Sequence, residues 1–570
     1  MLSNVNKRTA DSHRYDIVNY LTRTETIPFI ASAPQLELSA LSKVEEVARE
    51  ALRGSFLVFV GNTCSTLILV LTSIAMARLL GPSGYGLYSV TLIVPSLMLL
   101  FTDFGVDAAL VRFVARLRAE GGSAGDIVRA GVLFKLASSA SMSLLVLLLA
   151  DVLASQLLSR PGAGQLVRIA SLSIVGSALV TTSNNAFAGL DRMDRLALVS
   201  VAQALTKASL VIALIALGLG VTGALAGHVS STLVAGSLGA AMAFLLCGQR
   251  GRGSGEGGIS GSALASMLRY GLPLYASTLI AGLLGQYQSL VLARLTSDAE
   301  VGNYTVAVAF SAAVALLTTP ISTALFPAFS KVSPRGDEPE LRSLFSNSLR
   351  YTLLLVIPAA AFIATNSRPL VALFYGSSYA QAPLYLSLYS ITFVIGGFSL
   401  VLSNLFNGTG RTDMALRATL IHLPFLLVLA PALTWLFRVQ GFICALLASS
   451  VPPLAYLALA AKEEYGLGFS LRHLARTCAA SLLSSLPTMA LSFSLPCSRP
   501  ELVVLEAAVF VLTYMTLAPV VGAVGEADIV NLRSVTKGLG VIGPLANLAL
   551  SYEERMISLT GRSTDRRGAT

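Results

Sequence analysis

Apolar runs follow one another almost without pause from residue 55 to residue 523, separated by short stretches rich in Gly, Pro and charge. At about 1.5 Å of rise per residue, roughly 20 apolar helical residues cross the hydrocarbon core of a bilayer. The pattern predicts 14 such spans, over 55–79, 87–111, 127–150, 166–188, 197–218, 223–246, 269–293, 301–328, 348–372, 384–405, 416–437, 440–461, 477–495 and 501–523. An all-α polytopic membrane protein is the expected fold class, because each helical span satisfies its own backbone polar groups in lipid. Ahead of the first span, Leu41, Val44, Val47, Ala48, Ala51 and Leu52 recur at helical spacing among charges, as in an amphipathic helix lying on the membrane surface over 39–53. Residues 1–54 are thus expected to form a polar tail ending in that helix, with no cleavable signal peptide.

The pattern also repeats. Ala77-Arg-Leu-Leu-Gly-Pro-Ser-Gly-Tyr-Gly-Leu-Tyr-Ser-Val90 has a weaker copy 216 residues later, Ala293-Arg-Leu-Thr-Ser-Asp-Ala-Glu-Val-Gly-Asn-Tyr-Thr-Val306, which aligns Arg78 with Arg294 and Gly86 with Gly302. A second echo, Asn185 to Asp194 against Asn404 to Asp413, gives a nearly identical offset of 219. Two matches at one offset indicate an internal duplication. The expected organisation is therefore two six-span lobes, 55–247 and 269–461, joined by a Gly-rich linker over 248–268. An added pair of helices over 477–523 and a second tail over 524–570 follow. A repeat with an even number of spans enters and leaves on one side, so the lobes are related by a pseudo-twofold axis along the membrane normal, with a cleft between them.

Composition agrees with the pattern. Hydrophobic residues make up 54% of the chain and charged residues 12%, with a mean hydropathy of +0.73, which places the protein in a membrane. The net charge of +10 is scattered between apolar runs without a basic stripe, so it predicts topology and no nucleic-acid partner. One alternate set of loops holds most of the Lys and Arg, among them Arg112, Arg116, Arg118, Arg192, Arg195, Arg250, Arg252, Lys331 and Arg411. The positive-inside rule then puts both termini in the cytoplasm, and the cell membrane is the expected location. The five cysteines are widely separated and suggest neither a zinc site nor a disulfide framework.

No phosphate-binding loop or metalloprotease motif occurs in the chain, so no catalytic residue, metal or enzymatic activity is expected. Charged groups inside spans are costly and mark function. Lys207 stands ten residues into the fifth span, roughly 15 Å deep, with Gln203 one turn before it. Lys135 lies in the third span; its counterpart in the second copy is Arg350, and His422 falls on Gln203. These five residues are the expected substrate-binding set. Arg78 and Arg294 end equivalent spans on the outer side, where they can anchor in the headgroups or act as external gates. Asp103 and Asp107, near Arg112 at the inner end of the second span, are candidates for a helix-end charge network or for ion coupling.

At Ala77 to Tyr88, followed by Asp103-Phe-Gly-Val-Asp-Ala-Ala-Leu-Val-Arg-Phe-Val-Ala115, the chain resembles the polysaccharide biosynthesis protein family of oligosaccharide flippases. The resemblance extends over about residues 50–525. It implies a monomeric membrane transporter that moves a polyprenyl diphosphate-linked oligosaccharide from the cytoplasmic to the outer leaflet by alternating access. It also implies a cationic cavity, cycling driven by H+ or Na+ without a bound cofactor, and glycosyltransferases or a polymerase of the same pathway as partners. Two alternatives stand beside it. A multidrug extruder of the same superfamily would want deep carboxylates, which are scarce here; a membrane-embedded glycosyltransferase or polymerase would want a large catalytic loop, and the interior loops over 249–268 and 329–347 are small.

Overall fold

The computed structural model describes residues 33–248, 261–332, 338–494, 500–536 and 543–559, with side chains from Val60 onward except for a few residues beside the gaps. Nineteen α-helices account for almost all of the described residues. In chain order they are α1 Ala33–Thr91, α2 Ile93–Leu100, α3 Val106–Ala119, α4 Gly125–Val152, α5 Gly164–Ser171, α6 Ser173–Gly189, α7 Met193–Leu214, α8 Gly220–Gly248 and α9 Gly261–Leu295. They continue with α10 Asp298–Ala309, α11 Ser311–Lys331, α12 Glu338–Thr365, α13 Ser367–Tyr375, α14 Ala382–Gly408, α15 Thr412–Tyr465, α16 Leu471–Ser494, α17 Pro500–Val521, α18 Glu526–Thr536 and α19 Gly543–Leu559. The chain separates into two compact units, Met1–Val60 and Gly61–Thr570. In the first, the described backbone is helical from Ala33 onward; the side chains of the expected surface helix, like residues 1–32, lie outside the described residues. The Gly-rich stretch 249–260 lies outside them too, and helix resumes at Gly261, earlier than the expected linker end.

Among the described residues, ten helical runs are long and apolar enough to cross a bilayer. Three of them, Val60–Leu100, Met193–Leu246 and Thr412–Tyr465, each hold two predicted spans, so the ten runs cover 13 of the 14; the remaining prediction, 477–495, falls on α16, a helix that is not among the ten. Backbone breaks divide the long runs where the sequence predicts loops. Gly81 (φ 67°) interrupts α1 just before Pro82, Gly218 and Gly220 separate α7 from α8, and Arg438 (φ 55°) bends α15. Arg438 is a non-glycine residue in the left-handed region, a conformation that needs support. It is held by Glu300 at 3.2 Å and by the Leu295 carbonyl at 2.9 Å.

The two copies of the duplicated stretch meet each other. A Cβ at Gly86 would fall 1.7 Å from the Asp298 carbonyl oxygen, and one at its equivalent Gly302 would fall 2.0 Å from that of Pro82. Only glycine permits this approach of backbones, which closes the ends of the lobes expected from the loop charges to face outward. Toward the opposite, inner end, Gly105 and Gly271 face each other in the same way, each Cβ falling 2.1 Å from the other's carbonyl oxygen. Tyr275 donates to the Leu100 carbonyl beside them at 2.7 Å, and the Arg112 guanidinium lies 4.3 Å over the Tyr270 ring. The lobes therefore touch at both ends. Gly86→Ala is expected to hold the outer end open, because interpenetrating atoms must separate. In a cysteine-free background, a Thr296→Cys probe should then react with an impermeant maleimide about tenfold faster, which corresponds to a population shift of about 1.4 kcal/mol.

The last residues depart from expectation. The stretch over 524–570 reads as a tail, but α18 and α19 fold back, and Ile529, Leu550 and Ile557 pack with Ala480 of α16 and Ala518 of α17. These helices are too short and too charged to cross a membrane, yet each has an apolar stripe that gains by burial. Burial and the nearby Asp528 carboxylate push the Glu553 carboxyl up to about 7 from its ordinary 4.5. Between those values the folded hairpin holds a proton that the unfolded chain releases, so its stability is full below 4.5 and is lost as pH rises through 7. Amide exchange in α19, corrected for intrinsic rates, should be faster at about pH 8 than at about pH 5.5, and Glu553→Gln should remove the difference.

Candidate functional site

The fifth and sixth spans, α7 and α8, pack along each other and hold Lys207 where the sequence places it, deep in the first lobe. Lys207 is half-buried and has neither an ion pair nor a hydrogen bond among the described residues. It lies close enough to His228 of α8 for its charge to act on the ring. Tyr88 of the opening motif meets the same ring edge-on, with centroids 6.3 Å apart. The Tyr88 hydroxyl and His228 Nδ1 are both buried without a hydrogen-bond partner among the described residues. Each orphaned polar group costs about 1–3 kcal/mol, a cost retained mainly where the group serves a ligand or a proton. Gln203, one turn before Lys207, is also half-buried.

The matching helix pair of the second lobe, the two halves of α15, carries His422. Its Nε2 lies 3.2 Å from Ser449 Oγ, and the ring lines a cavity of about 390 Å³ with Ser399, Ser403, Thr419 and Ser450. The two lobes thus offer nitrogen-bearing side chains from equivalent spans, cationic in the first and neutral-polar in the second.

The other expected residues are deployed differently. Lys135 is almost fully buried, its ammonium 2.8 Å from Asp103 and 2.9 Å from Asp107. Its charge is therefore committed within the first lobe, and the pair of aspartates answers to Lys135 where a network with Arg112 was expected. Thr182 donates to Asp107 at 2.9 Å, while Asp103 accepts from the backbone N–H groups of Gly105 and Asp107. One ammonium between two carboxylates leaves a net negative charge on the cluster. It sits at the break between α2 and α3, where Phe104 and Gly105 both have positive φ, beside the inner contact with Gly271.

Arg350 does not join Lys207. It pairs with Asp528 of α18 and donates to the Ala523 carbonyl at 3.3 Å; the sequence repeat placed it near the inner end of α12, and the refolded C-terminal segment supplies its partner. Arg78 and Arg294 form a pseudo-symmetric clasp at the outer end. Arg78 Nε donates to the Phe374 carbonyl at 2.7 Å and Nη2 to that of Leu373, whereas Arg294 Nη1 donates across to the Gln156 carbonyl at 3.0 Å. Arg160 reinforces it by donating to Asp298 Oδ1 and to the Thr296 carbonyl, both at 2.6 Å, as does Tyr379 by donating to the Ala77 carbonyl at 2.7 Å. The reading of Arg78 and Arg294 as headgroup anchors gives way here to cross-lobe contacts.

This architecture, two closed lobes of six spans with polar clusters inside and a helix pair appended, defines a class of polytopic α-helical membrane proteins. Solved structures share the fold. A lipid II flippase, MurJ, in an inward closed conformation superposes with a TM-score of 0.67 at 13% identity, covering 82% of this chain and 98% of that one. An inward-facing multidrug resistance transporter of the MATE family, in the MOP superfamily, gives a TM-score of 0.55 at 17% identity, covering 70% and 96%. Residues 75–384, more than half of the sequence, match the model of the polysaccharide biosynthesis protein family. The chain belongs to that family. Among curated proteins it is similar to the "Probable low-salt glycan biosynthesis flippase Agl15" of Haloferax volcanii, 25% identical over 145 residues, which is 25% of this chain and 31% of the relative's length.

Proposed function

We propose that the protein flips a polyprenyl diphosphate-linked oligosaccharide from the cytoplasmic to the outer leaflet of the cell membrane, both termini being cytoplasmic, for assembly of a surface glycan. Family membership supports the pathway, and the flippase named above supports the reaction class. The observation that carries the substrate chemistry is Lys207, a deep cation with no acidic partner among the described residues. A diphosphate would supply that counter-charge, an attraction of about 4 kcal/mol per unit-charge pair 4 Å apart at an effective dielectric of 20. Tyr88 and His228 beside it would hydrogen-bond phosphate oxygens or the sugar. The polar cavity at His422 would take the glycan in the opposite lobe, while the lipid tail stays in the bilayer.

Translocation makes and breaks no covalent bond, so the cycle needs only differential affinity of ligands for the two gate arrangements. When the substrate enters from the inner end, the Gly105–Gly271 contact must part; the arginine clasp must part for release. The Asp103–Asp107–Lys135 cluster adjoins the inner contact, and we assign coupling to H+ or Na+ to it. A multidrug extruder would need free carboxylates for large cations, and both members of the pair available here are engaged by Lys135.

The test is reconstitution in vesicles with a fluorescent polyprenyl diphosphate oligosaccharide and, in parallel, a lipophilic cation. Protein-dependent movement of the first and none of the second is expected. Export of the cation alone would replace the proposal with the extruder.

A further inference from the structure

Outside the cleft, two cavities adjoin on the flank of the second lobe. One, of about 220 Å³, is polar at one side, with Asn347 and Arg350 of α12 facing Ser470, His473 and Thr477 at the start of α16. The other, of about 230 Å³, has only apolar side chains around it, among them Phe345, Leu402, Leu454 and Leu467. Leu349, Phe398 and Phe469 line both, so polar head and apolar body form one groove. Exposed Val451 and Phe469 mark its open edge. By the span register, the groove lies in the half of the bilayer nearer the inner end.

The charge around the polar head is one-sided. The groups acting on His473 are Arg350, Arg472, Arg476 and Asp528, three cations to one anion; Glu553 lies beyond Asp528. Moreover, α16 begins with Arg472 and His473 and has no acid in its first turn, although a helix N-terminus already carries partial positive charge. An anion placed there would gain from both. Arg350 is oriented toward this chamber's wall by Asp528 and the Ala523 carbonyl, which accounts for a half-buried arginine that the transport site does not use.

We propose that this groove binds one anionic phospholipid of the inner leaflet, its phosphate at Ser470 and the first turn of α16, and one acyl chain between α12, α14 and α15. The occupant is a resident membrane lipid, distinct from the transported one. The groove has Leu454 in common with the wall of the His422 cavity but contains neither His422 nor Lys207, and the inference does not depend on the flippase reading.

Full-length protein would be exchanged into nanodiscs of phosphatidylcholine with or without phosphatidylglycerol, and retained lipid counted by native mass spectrometry. The wild type is expected to retain one phosphatidylglycerol with about tenfold preference. Ser470→Glu adds a carboxylate at an exposed position and should remove that preference, whereas Ala455→Trp, which fills the apolar end from its exposed edge, should lower retention of both lipids. Equal retention of the two lipids by the wild type would overturn the proposal, as would indifference to both substitutions. Displacement of phosphatidylglycerol by equimolar polyprenyl diphosphate would overturn it too, since the groove would then belong to the transport path.

Discussion

Lys207→Gln is expected to lower flipping of a polyprenyl diphosphate oligosaccharide by at least about tenfold while leaving the protein as stable as the wild type, or more so. The substitution keeps bulk and hydrogen bonding and removes only charge. A unit-charge contact with a diphosphate is worth about 4 kcal/mol at an effective dielectric of 20, and even half of that is more than tenfold. Stability should not fall, because Lys207 has no acidic partner among the described residues to be orphaned, and removing an uncompensated buried charge removes its desolvation cost. The two readouts, initial flipping rate in vesicles and thermal unfolding in detergent, therefore separate. Lys207→Arg should restore part of the rate, and His228→Gln should lower it less than Lys207→Gln. A normal rate for Lys207→Gln would take the cation out of the transport cycle.

How much of this was legible in the sequence depended on the physics involved. The 14 spans follow from runs of apolar residues, a local property, and they recur as helices broken at Gly81, at Gly218 to Gly220 and at Arg438. The duplication was legible as well, but its meaning was not. Gly86 and Gly302 could be aligned from the sequence, whereas their mutual contact across the pseudo-twofold axis depends on how two lobes dock. Tyr88 belongs to the duplicated stretch, yet it reaches the ring of His228, an uncharged group that carries no signal of depth or cost in the sequence. Lys207 stands out in the sequence because depth alone makes a cation costly. Lys135 was found for the same reason and assigned the wrong company, since its partners are set by the rotation of α4 about its axis. Asp103 and Asp107 are close in sequence, but the backbone break at Phe104 and Gly105 that turns both toward Lys135 carries no signal in the apolar pattern. Arg350 was misplaced because short, charged C-terminal helices carry no span-like signal, and Asp528 lies in one of them.

The Lys135 cluster gives the second large effect, and its sign is opposite to that of Lys207. Lys135→Met leaves Asp103 and Asp107 facing each other in a buried setting without their cation, which should destabilise the first lobe by about 3–5 kcal/mol. Thermal unfolding and expression level would both report it. The triple change Lys135→Met, Asp103→Asn, Asp107→Asn removes all three charges at once, and replacing a buried ionic set by neutral groups is often close to neutral for stability. It should recover most of the loss. Flipping by the triple variant then isolates function from fold. Because the cluster clamps the α2–α3 break beside Gly105, its charge state can bias the inner contact through that bend alone, without touching substrate. The expected result is a folded protein that still binds the lipid-linked oligosaccharide but whose flipping no longer responds to an imposed proton or sodium gradient. Should the gradient response survive in a stable triple variant, the coupling ion must act elsewhere, and Lys135 would be a structural partner of two aspartates whose work is to fix the bend that lets Gly105 meet Gly271.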